Sequence, residues 1–336
     1  MLFRTEIDII SLNQTIVYGD GLLFLGSCFA DEVGNLCRGF GFNAQVNPFG
    51  VLYNPFSIAN AIQRLHSGKP FVHEDVIRAG EKFYCTFSHN TEFWNSSEEA
   101  LLDNVNQALA EAHNHFVKAR WIVVSLGTAW VYRYRETQEV VANCHKLPAK
   151  QFDRYCLSVE DASACLKSLL QAFPEKQFIF TVSPLRHLKD GLHGNQLSKS
   201  TLLLAVNQVC ERFDNAHYFP AYEILLDELR DYRFYKEDMV HPTDQAVRYI
   251  WEKFVDFAIN PSEKPALQAS SELKQMLHHK PLFPDSDAYR KFEQQRNQKS
   301  CNQSNQFYFE LTLFHYSFPP SIPTPAILSS PRHGSF

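Results

Sequence analysis

Short apolar runs alternate with amphipathic segments along the first 260 residues. Three of the runs are continuous, over residues 22–25, 121–126 and 177–182, and each is followed by glycine or serine. Runs of this kind are typical of strands in a parallel sheet, because helices cover both faces of such a sheet. The repeated alternation of strand and helix therefore predicts an α/β fold, a three-layer α/β/α sandwich with a mainly parallel sheet.

The remaining segments complete this outline. Two further strands are predicted at 42–46 and 217–219, and a hairpin or irregular insertion at 74–94. Helical patterns cover residues 31–37, 57–65, 96–118, 159–173, 197–213, 221–229 and 245–258. Charged helices at 263–278 and 286–299 follow Pro261, and the composition then shifts to a stretch with almost no charge. We therefore expect an α/β domain at 1–260, a helical extension at 261–299, and a poorly ordered or loosely docked tail at 300–336.

Composition limits the partners that the chain can have. The net charge is −5 and no local basic cluster is present, which argues against nucleic acid and anionic membrane surfaces. No uncharged apolar stretch approaches the ~20 residues of a membrane span, and the N-terminus lacks the pattern of a signal peptide. The eight cysteines are scattered without a C-x-x-C pair, which is typical of free thiols in a reducing compartment. A cytoplasmic protein without nucleic-acid or membrane partners is expected.

A Gly26-Ser27 pair stands between the first predicted strand and the first predicted helix. A sharp turn there presents a serine hydroxyl beside the free N–H groups of the helix N-terminus, which suits a nucleophile and an oxyanion. The same residues also serve as an ordinary helix cap. Taken alone, the pair leaves both interpretations open.

Asp238 and His241 lie on a polar loop before the last predicted helix of the domain. An aspartate three residues before a histidine can accept a hydrogen bond from one ring nitrogen, and the other nitrogen is then available as a base. Thr243 and Asp244 show that the segment also caps a helix. This pair is likewise ambiguous alone.

Together the two elements match the first and last blocks of the SGNH (GDSL-type) hydrolases. Residues 26–30 read Gly-Ser-Cys-Phe-Ala, the motif that names the GSCFA family of that superfamily, and the chain resembles this family from about Thr5 to about Lys299. The other matching segments are residues 47–55, 125–130, 183–187 and 238–242. The resemblance implies an SGNH-hydrolase (flavodoxin-like) sandwich, with Ser27 as nucleophile, His241 as base and Asp238 as the acid that orients it.

The resemblance also implies an oxyanion site, and there the chain departs from the superfamily pattern. Gly50 matches the glycine that donates an N–H, and the Cys28 amide follows the nucleophile. Where the superfamily has an asparagine, the chain has Ala129, and losing one such donor costs roughly 2.7–4 kcal/mol of transition-state stabilisation. The replacement donors left open are Thr128, Asn47 and Asn143.

The loop that follows the third apolar run is rich in polar residues. Arg186 suits a carboxylate or phosphate on a substrate, or else an internal salt bridge, and the sequence favours neither. We assign Arg186, His187 and Asn143 to substrate binding. No two of His145, His187 and His193 have the helical spacing of metal ligands, so no metal or other cofactor is expected.

The preferred function is hydrolysis or transfer of a small acyl ester or acylated carbohydrate through an acyl-serine intermediate. The alternative is a catalytically weak protein that binds a carbohydrate or acyl ligand in the same cleft. The complete Ser27, Asp238 and His241 set favours the enzyme, whereas Ala129 favours the alternative.

Overall fold

A parallel five-stranded sheet forms the centre of the computed structural model, which describes residues 4–80, 82–279, 282–283 and 286–306. The strands are, in chain order, β1 (Gly21–Gly26), β2 (Asn43–Val46), β3 (Val76–Ala79), β4 (Phe83–Thr86), β5 (Ala119–Leu126), β6 (Trp130–Tyr134), β7 (Val140–Val141), β8 (Phe152–Cys156), β9 (Gln177–Val182) and β10 (Ala216–Tyr218). The central sheet has the order β10-β9-β5-β1-β2, and all its pairs are parallel. The predicted α/β fold is confirmed.

Helices cover both faces of this sheet. They are α1 (Cys28–Gly39), α2 (Pro55–Ser67), α3 (Glu98–Lys118), α4 (Val159–Ala172), α5 (Gly191–Cys210), the single turn α6 (Ala221–Glu223), α7 (Asp244–Ala258), α8 (Lys264–His278) and α9 (Asp287–Gln306). On one face α1, α7 and a π-helical segment at Ile224–Leu229 enclose an apolar core, and α2 to α5 enclose a second core on the other. These layers form the predicted three-layer sandwich.

The alternation of side chains along β1 explains why its apolar run is continuous. Leu22 and Phe24 point into the core under α1 and α7, whereas Leu23 and Leu25 point into the core under α2 and α3. All four are fully buried. A strand between two helical layers needs apolar residues at odd and at even positions, because successive side chains point to opposite faces of the sheet.

Two small antiparallel sheets are added to the sandwich. The strands β3 and β4 form a hairpin inside the predicted insertion at 74–94. The second sheet has the order β7-β6-β8, and the sequence pattern did not predict it. Its strands are half-exposed and carry aromatic and arginine side chains, so they lack the apolar run that marks the central strands.

The C-terminal part of the chain begins within α8. By internal contacts the chain divides between Glu272 and Leu273, and the expected boundary near residue 261 stays a prediction. Helix α9 continues to Gln306, past the predicted helix end at Lys299. Residues 307–336 of the predicted tail lie outside the described residues. None of the helices in the described ranges is long and apolar enough to cross a membrane.

Candidate active site

The turn that carries Ser27 joins the end of β1 to the start of α1. Gly26 has φ +136°, and a Cβ atom there would lie 2.1 Å from the Ser125 carbonyl oxygen, so only glycine fits. Ser27 is the N-cap of α1, and its Oγ accepts a hydrogen bond from the Phe29 amide at 3.2 Å. The structure therefore contains the predicted strand-turn-helix element.

The Ser27 hydroxyl has a partner that the sequence did not reveal. Its Oγ lies 2.9 Å from Ser125 Oγ, and its amide donates to the Ser125 carbonyl at 3.0 Å. Both serines are 1% exposed. The available signal was the position of Ser125, a polar residue near the carboxyl end of an otherwise apolar strand. The register that pairs it with Gly26 could not be read from the sequence.

Asn47 stabilises the same turn from the loop after β2. It has φ +40°, its Oδ1 accepts from the Gly26 amide at 2.8 Å, and its Nδ2 donates to Asp31 Oδ1 at 2.6 Å. Burial raises the pKa of the Asp31 carboxyl, and the Asn47 hydrogen bond opposes this shift. The predicted donor Gly50 lies in the same loop, but its N–H donates to the Asn47 carbonyl at 2.7 Å. Of these two predicted donors, Asn47 is the one in direct contact with the Ser27 turn.

In the loop 127–130, all four backbone amides donate hydrogen bonds to other groups of the protein. The first two donate to the Tyr53 carbonyl at 2.7 and 2.9 Å, the third to Ser198 Oγ at 2.8 Å, and the fourth to Thr128 Oγ1 at 3.1 Å. The Thr128 hydroxyl in turn contacts Ser198 Oγ at 3.0 Å, and Ala129 is fully buried in the apolar core. Thr128 is thus directed towards α5.

A buried lysine holds the same loop from α5. Lys199 is 1% exposed, and its Nζ donates to the carbonyls of Gly127 at 2.7 Å and Ser183 at 2.6 Å. Burial lowers its pKa to about 7. Because these carbonyls follow β5 and β9, Lys199 ties together two neighbouring strand ends. Lys199 belongs to the polar residues that follow the third apolar run, but its burial was not predicted because it depends on the helix face that α5 presents to the sheet.

His187 lies beside Gly127 and Tyr53. Its ring packs edge-on against the Tyr53 ring with centroids 5.5 Å apart, and its amide donates to Asn195 Oδ1 at 3.0 Å. Burial, aided by the charge of Lys199, lowers its pKa to about 4. The buried Nε2 has no hydrogen-bond partner within the described part of the chain.

Asp238 and His241 form the pair that their spacing predicts. His241 Nδ1 lies 2.6 Å from Asp238 Oδ2, and Asp238 Oδ1 accepts from the amides of Val240 and His241, both at 2.9 Å. These hydrogen bonds stabilise the carboxylate and lower the pKa of Asp238 to about 2. With Nδ1 donating to the carboxylate, Nε2 carries the lone pair that a general base needs.

The loop that carries this pair is tied to α1. Lys236 Nζ lies 3.8 Å from Glu32 Oε1 on α1, and the Lys236 amide donates to the His241 carbonyl at 2.7 Å. No hydrogen bond joins Ser27 Oγ to His241 among the described residues. The structure thus brings the two loops to the same helix, but it pairs the Ser27 hydroxyl with Ser125.

Comparison with known protein families assigns the chain to one of them. The GSCFA family model matches residues 21–254, more than two thirds of the chain and from β1 into α7. The chain belongs to the GSCFA family. No curated protein shows significant similarity to it.

Two other predicted site residues of this GSCFA protein have different surroundings. Arg186 stacks on the rings of Tyr235 and Tyr232, with its Cζ 4.6 and 5.5 Å from their centroids. No carboxylate within the described ranges forms a salt bridge with it, so the internal ion pair considered above is not present there. Asn143 accepts from the His145 amide at 2.8 Å, in the loop before β8.

Histidine clusters of this GSCFA protein serve its packing. His145 Nε2 lies 2.8 Å from the Thr86 carbonyl and its Nδ1 accepts from Trp94 Nε1 at 2.6 Å. Thr86 Oγ1 in turn lies 2.6 Å from His89 Nδ1, so these contacts connect the β3–β4 hairpin to the loop before β8. Across the described residues, no three His, Cys, Asp or Glu side chains are grouped as metal ligands.

Proposed function

We propose that this GSCFA protein is an SGNH-type serine hydrolase that cleaves or transfers the acyl group of a small ester. The observation that carries the proposal is the Asp238–His241 pair. Its 2.6 Å contact fixes the imidazole tautomer, and it lies on the loop tied to the helix that Ser27 caps. Such a pair has its use beside a nucleophile whose proton must be removed.

The proposed reaction has two halves. His241 Nε2 removes the proton of the Ser27 hydroxyl as Oγ attacks the acyl carbon, and the imidazolium then protonates the leaving alcohol. In the second half His241 activates a water molecule, which releases the acid and regenerates Ser27. Asp238 stays ionised throughout and stabilises the imidazolium, because its pKa lies near 2.

The oxyanion would be stabilised by groups of the Ser27 turn. The Cys28 amide is the first of α1, and the first amides of a helix have no intrahelical acceptor. The positive end of the helix dipole supports the same charge. Asn47 Nδ2 has one proton beyond the one donated to Asp31, and it belongs to the same turn. These groups stand in for the asparagine that the loop 127–130 lacks.

The environment of Ser27 favours a second candidate, a protein that binds an acyl or carbohydrate ligand without efficient turnover. Its hydroxyl is 1% exposed and is hydrogen-bonded to Ser125 rather than to His241. Catalysis requires the Ser27 hydroxyl to donate its hydrogen to the imidazole, a contact that the described residues do not form. A binding protein has no such requirement.

Covalent labelling with a fluorophosphonate, followed by intact-mass measurement, separates the two candidates. We expect wild type to gain one adduct and Ser27→Ala to gain none. His241→Ala should label at least about 100-fold more slowly, since a general base contributes roughly 10²–10⁴. His193→Ala, a matched change at an exposed histidine of α5, should label like wild type. An unlabelled wild type, or an adduct that persists in Ser27→Ala, contradicts the hydrolase proposal.

A further inference from the structure

A buried tyrosine hydroxyl beside the His241 loop has no hydrogen-bond acceptor among the described residues. Tyr235 is 8% exposed, and no oxygen or nitrogen of these residues accepts the hydrogen of its Oη. An unsatisfied buried hydroxyl costs about 1–3 kcal/mol, so native proteins rarely retain one without a use. Tyr235 forms an antiparallel bridge with Pro242, the residue after His241. The hydroxyl therefore belongs to the segment that carries the proposed base.

The Arg186 guanidinium covers the same tyrosine. Its Cζ lies 4.6 Å from the ring centroid, and the guanidinium opposes the rise that burial causes in the pKa of Tyr235. In the described structure no carboxylate neutralises it. Two donor groups thus lie together without an acceptor among the described residues.

Sheet register relates this pair to Ser27. Ser125 is paired with Gly26 on one side and with Thr181 on the other, and Thr181 precedes the loop that carries Arg186. Two strand spacings of about 4.8 Å separate Thr181 from Gly26, or about 10 Å. Thr181 Oγ1 is also buried without a partner among the described residues. One buried polar group without a partner among the described residues, Thr181 Oγ1, therefore lies on the strand between the Ser27 turn and the loop of Arg186.

We infer that Arg186 and the Tyr235 hydroxyl form a subsite for a carboxylate on the acyl part of the substrate. The guanidinium fork matches the two oxygens of a carboxylate, and the hydroxyl can donate to one of them. The inference rests on the proposed hydrolase function for its substrate, an ester whose acyl chain ends in a carboxylate. A ligand of this class supplies the acceptor that both protein groups lack.

The test compares the aryl monoester of glutaric acid with the aryl ester of hexanoic acid, a neutral ester of similar length. For wild type we expect kcat/KM to be about 10- to 100-fold higher for the glutaryl ester, the range of charge-assisted hydrogen bonds. Arg186→Met and Tyr235→Phe should each reduce this ratio at least severalfold. Arg233→Met is the matched control, because Arg233 also stacks on a ring, that of Phe234, but pairs with Asp231. It should leave the ratio unchanged.

Tyr235→Phe distinguishes the subsite from a packing role. Removing an unsatisfied buried hydroxyl should leave the melting temperature of the free protein unchanged or higher, while the preference for the glutaryl ester falls. A variant that is less stable and keeps its preference would show that the hydroxyl serves packing alone. Tyr235→Phe tests the subsite even if Arg186→Met does not fold.

A binding arm separates the subsite from the hydrolase proposal. Glutarate should raise the melting temperature of Ser27→Ala, and Arg186→Met should abolish that shift. Equal hydrolysis of both esters with no glutarate shift overturns the subsite and leaves the hydrolase intact. A glutarate shift without any hydrolysis overturns the hydrolase and supports the subsite. An equal shift with inorganic phosphate overturns the assignment to carboxylates.

Discussion

Replacing Lys199 by methionine should change how the stability of the protein depends on pH. Folded Lys199 has a pKa of about 7 because it is buried, whereas a lysine in the unfolded chain titrates near 10.4. Between these values the unfolded chain holds a proton that the folded protein has lost. Stability therefore rises with pH in this window, and methionine removes the contribution.

The size of the effect follows from the two pKa values. Folded Lys199 is half neutral at pH 7 and almost fully neutral at pH 8.5, while the unfolded lysine stays charged at both. The free energy of unfolding of wild type should therefore rise by about 1.6 kcal/mol relative to Lys199→Met between these pH values. At both pH values the variant also leaves the carbonyls of Gly127 and Ser183 without a donor, which adds an offset that does not vary with pH.

Urea unfolding of the two proteins at pH 7 and pH 8.5 measures this difference, because titrations elsewhere in the chain cancel between them. Lys176→Met is the matched control. Its Nζ also donates to two carbonyls, of Phe116 and Ala119, but burial lowers its pKa less. The difference in the free energy of unfolding between wild type and Lys176→Met should be nearly the same at pH 7 and pH 8.5. If the difference in the free energy of unfolding between wild type and Lys199→Met is also the same at both pH values, the reasoning is refuted. The result would show that the two carbonyls keep the ammonium charged.

Three further changes test other parts of the site and its supports. Gly26→Ala should destabilise the protein by at least about 3 kcal/mol, because its Cβ would lie 2.1 Å from the Ser125 carbonyl oxygen. Thermal unfolding measures the change, and a melting temperature equal to that of wild type would contradict the geometry of the turn. Asp238→Asn should lower turnover about 10⁴-fold, since the ionised carboxylate fixes the imidazole tautomer. Its circular dichroism spectrum should not change, because the pair lies on an exposed loop. A variant that turns over as fast as wild type would exclude this role. Burial lowers the pKa of His89 to about 3. Below pH ~6.5 the unfolded chain therefore binds a proton that the folded protein does not bind. The free energy of unfolding should fall by about 1.6 kcal/mol from pH 6.5 to pH 5. His89→Gln should flatten that slope in urea unfolding, and an equal slope in both proteins would assign the acid sensitivity to other groups.

The sequence predicted the central strands, which are buried on both faces and therefore have continuous apolar runs. The run at 177–182 matches β9 residue for residue, and the run at 121–126 lies within β5, because helices cover both faces of these strands. The sheet β7-β6-β8 was missed because its strands are half-exposed and depend on one another for stability. The helix expected at 221–229 was located, but its change from α to π geometry at Ile224 had no signal in the pattern.

The same distinction applies to the site. The contact between Asp238 and His241 spans three residues, so local spacing was enough to predict it. The contact between Ser27 and Ser125 spans 98 residues and arises from strand register, which no local pattern encodes. The burial of Lys199 was not predicted for a related reason, since the burial of one polar residue on α5 depends on how that helix is rotated against the sheet.

The burial of Ala129 has a consequence for attempts to engineer this protein. Its side chain belongs to the apolar core, and its amide is already bound to Ser198. The substitution Ala129→Asn would place an amide group among hydrocarbon side chains, at a cost of about 1–3 kcal/mol. A single substitution at this position is therefore unsuited to adding a side-chain hydrogen-bond donor to the loop. A design that adds such a donor has to remodel the whole 127–130 segment together with the face of α5 that holds it.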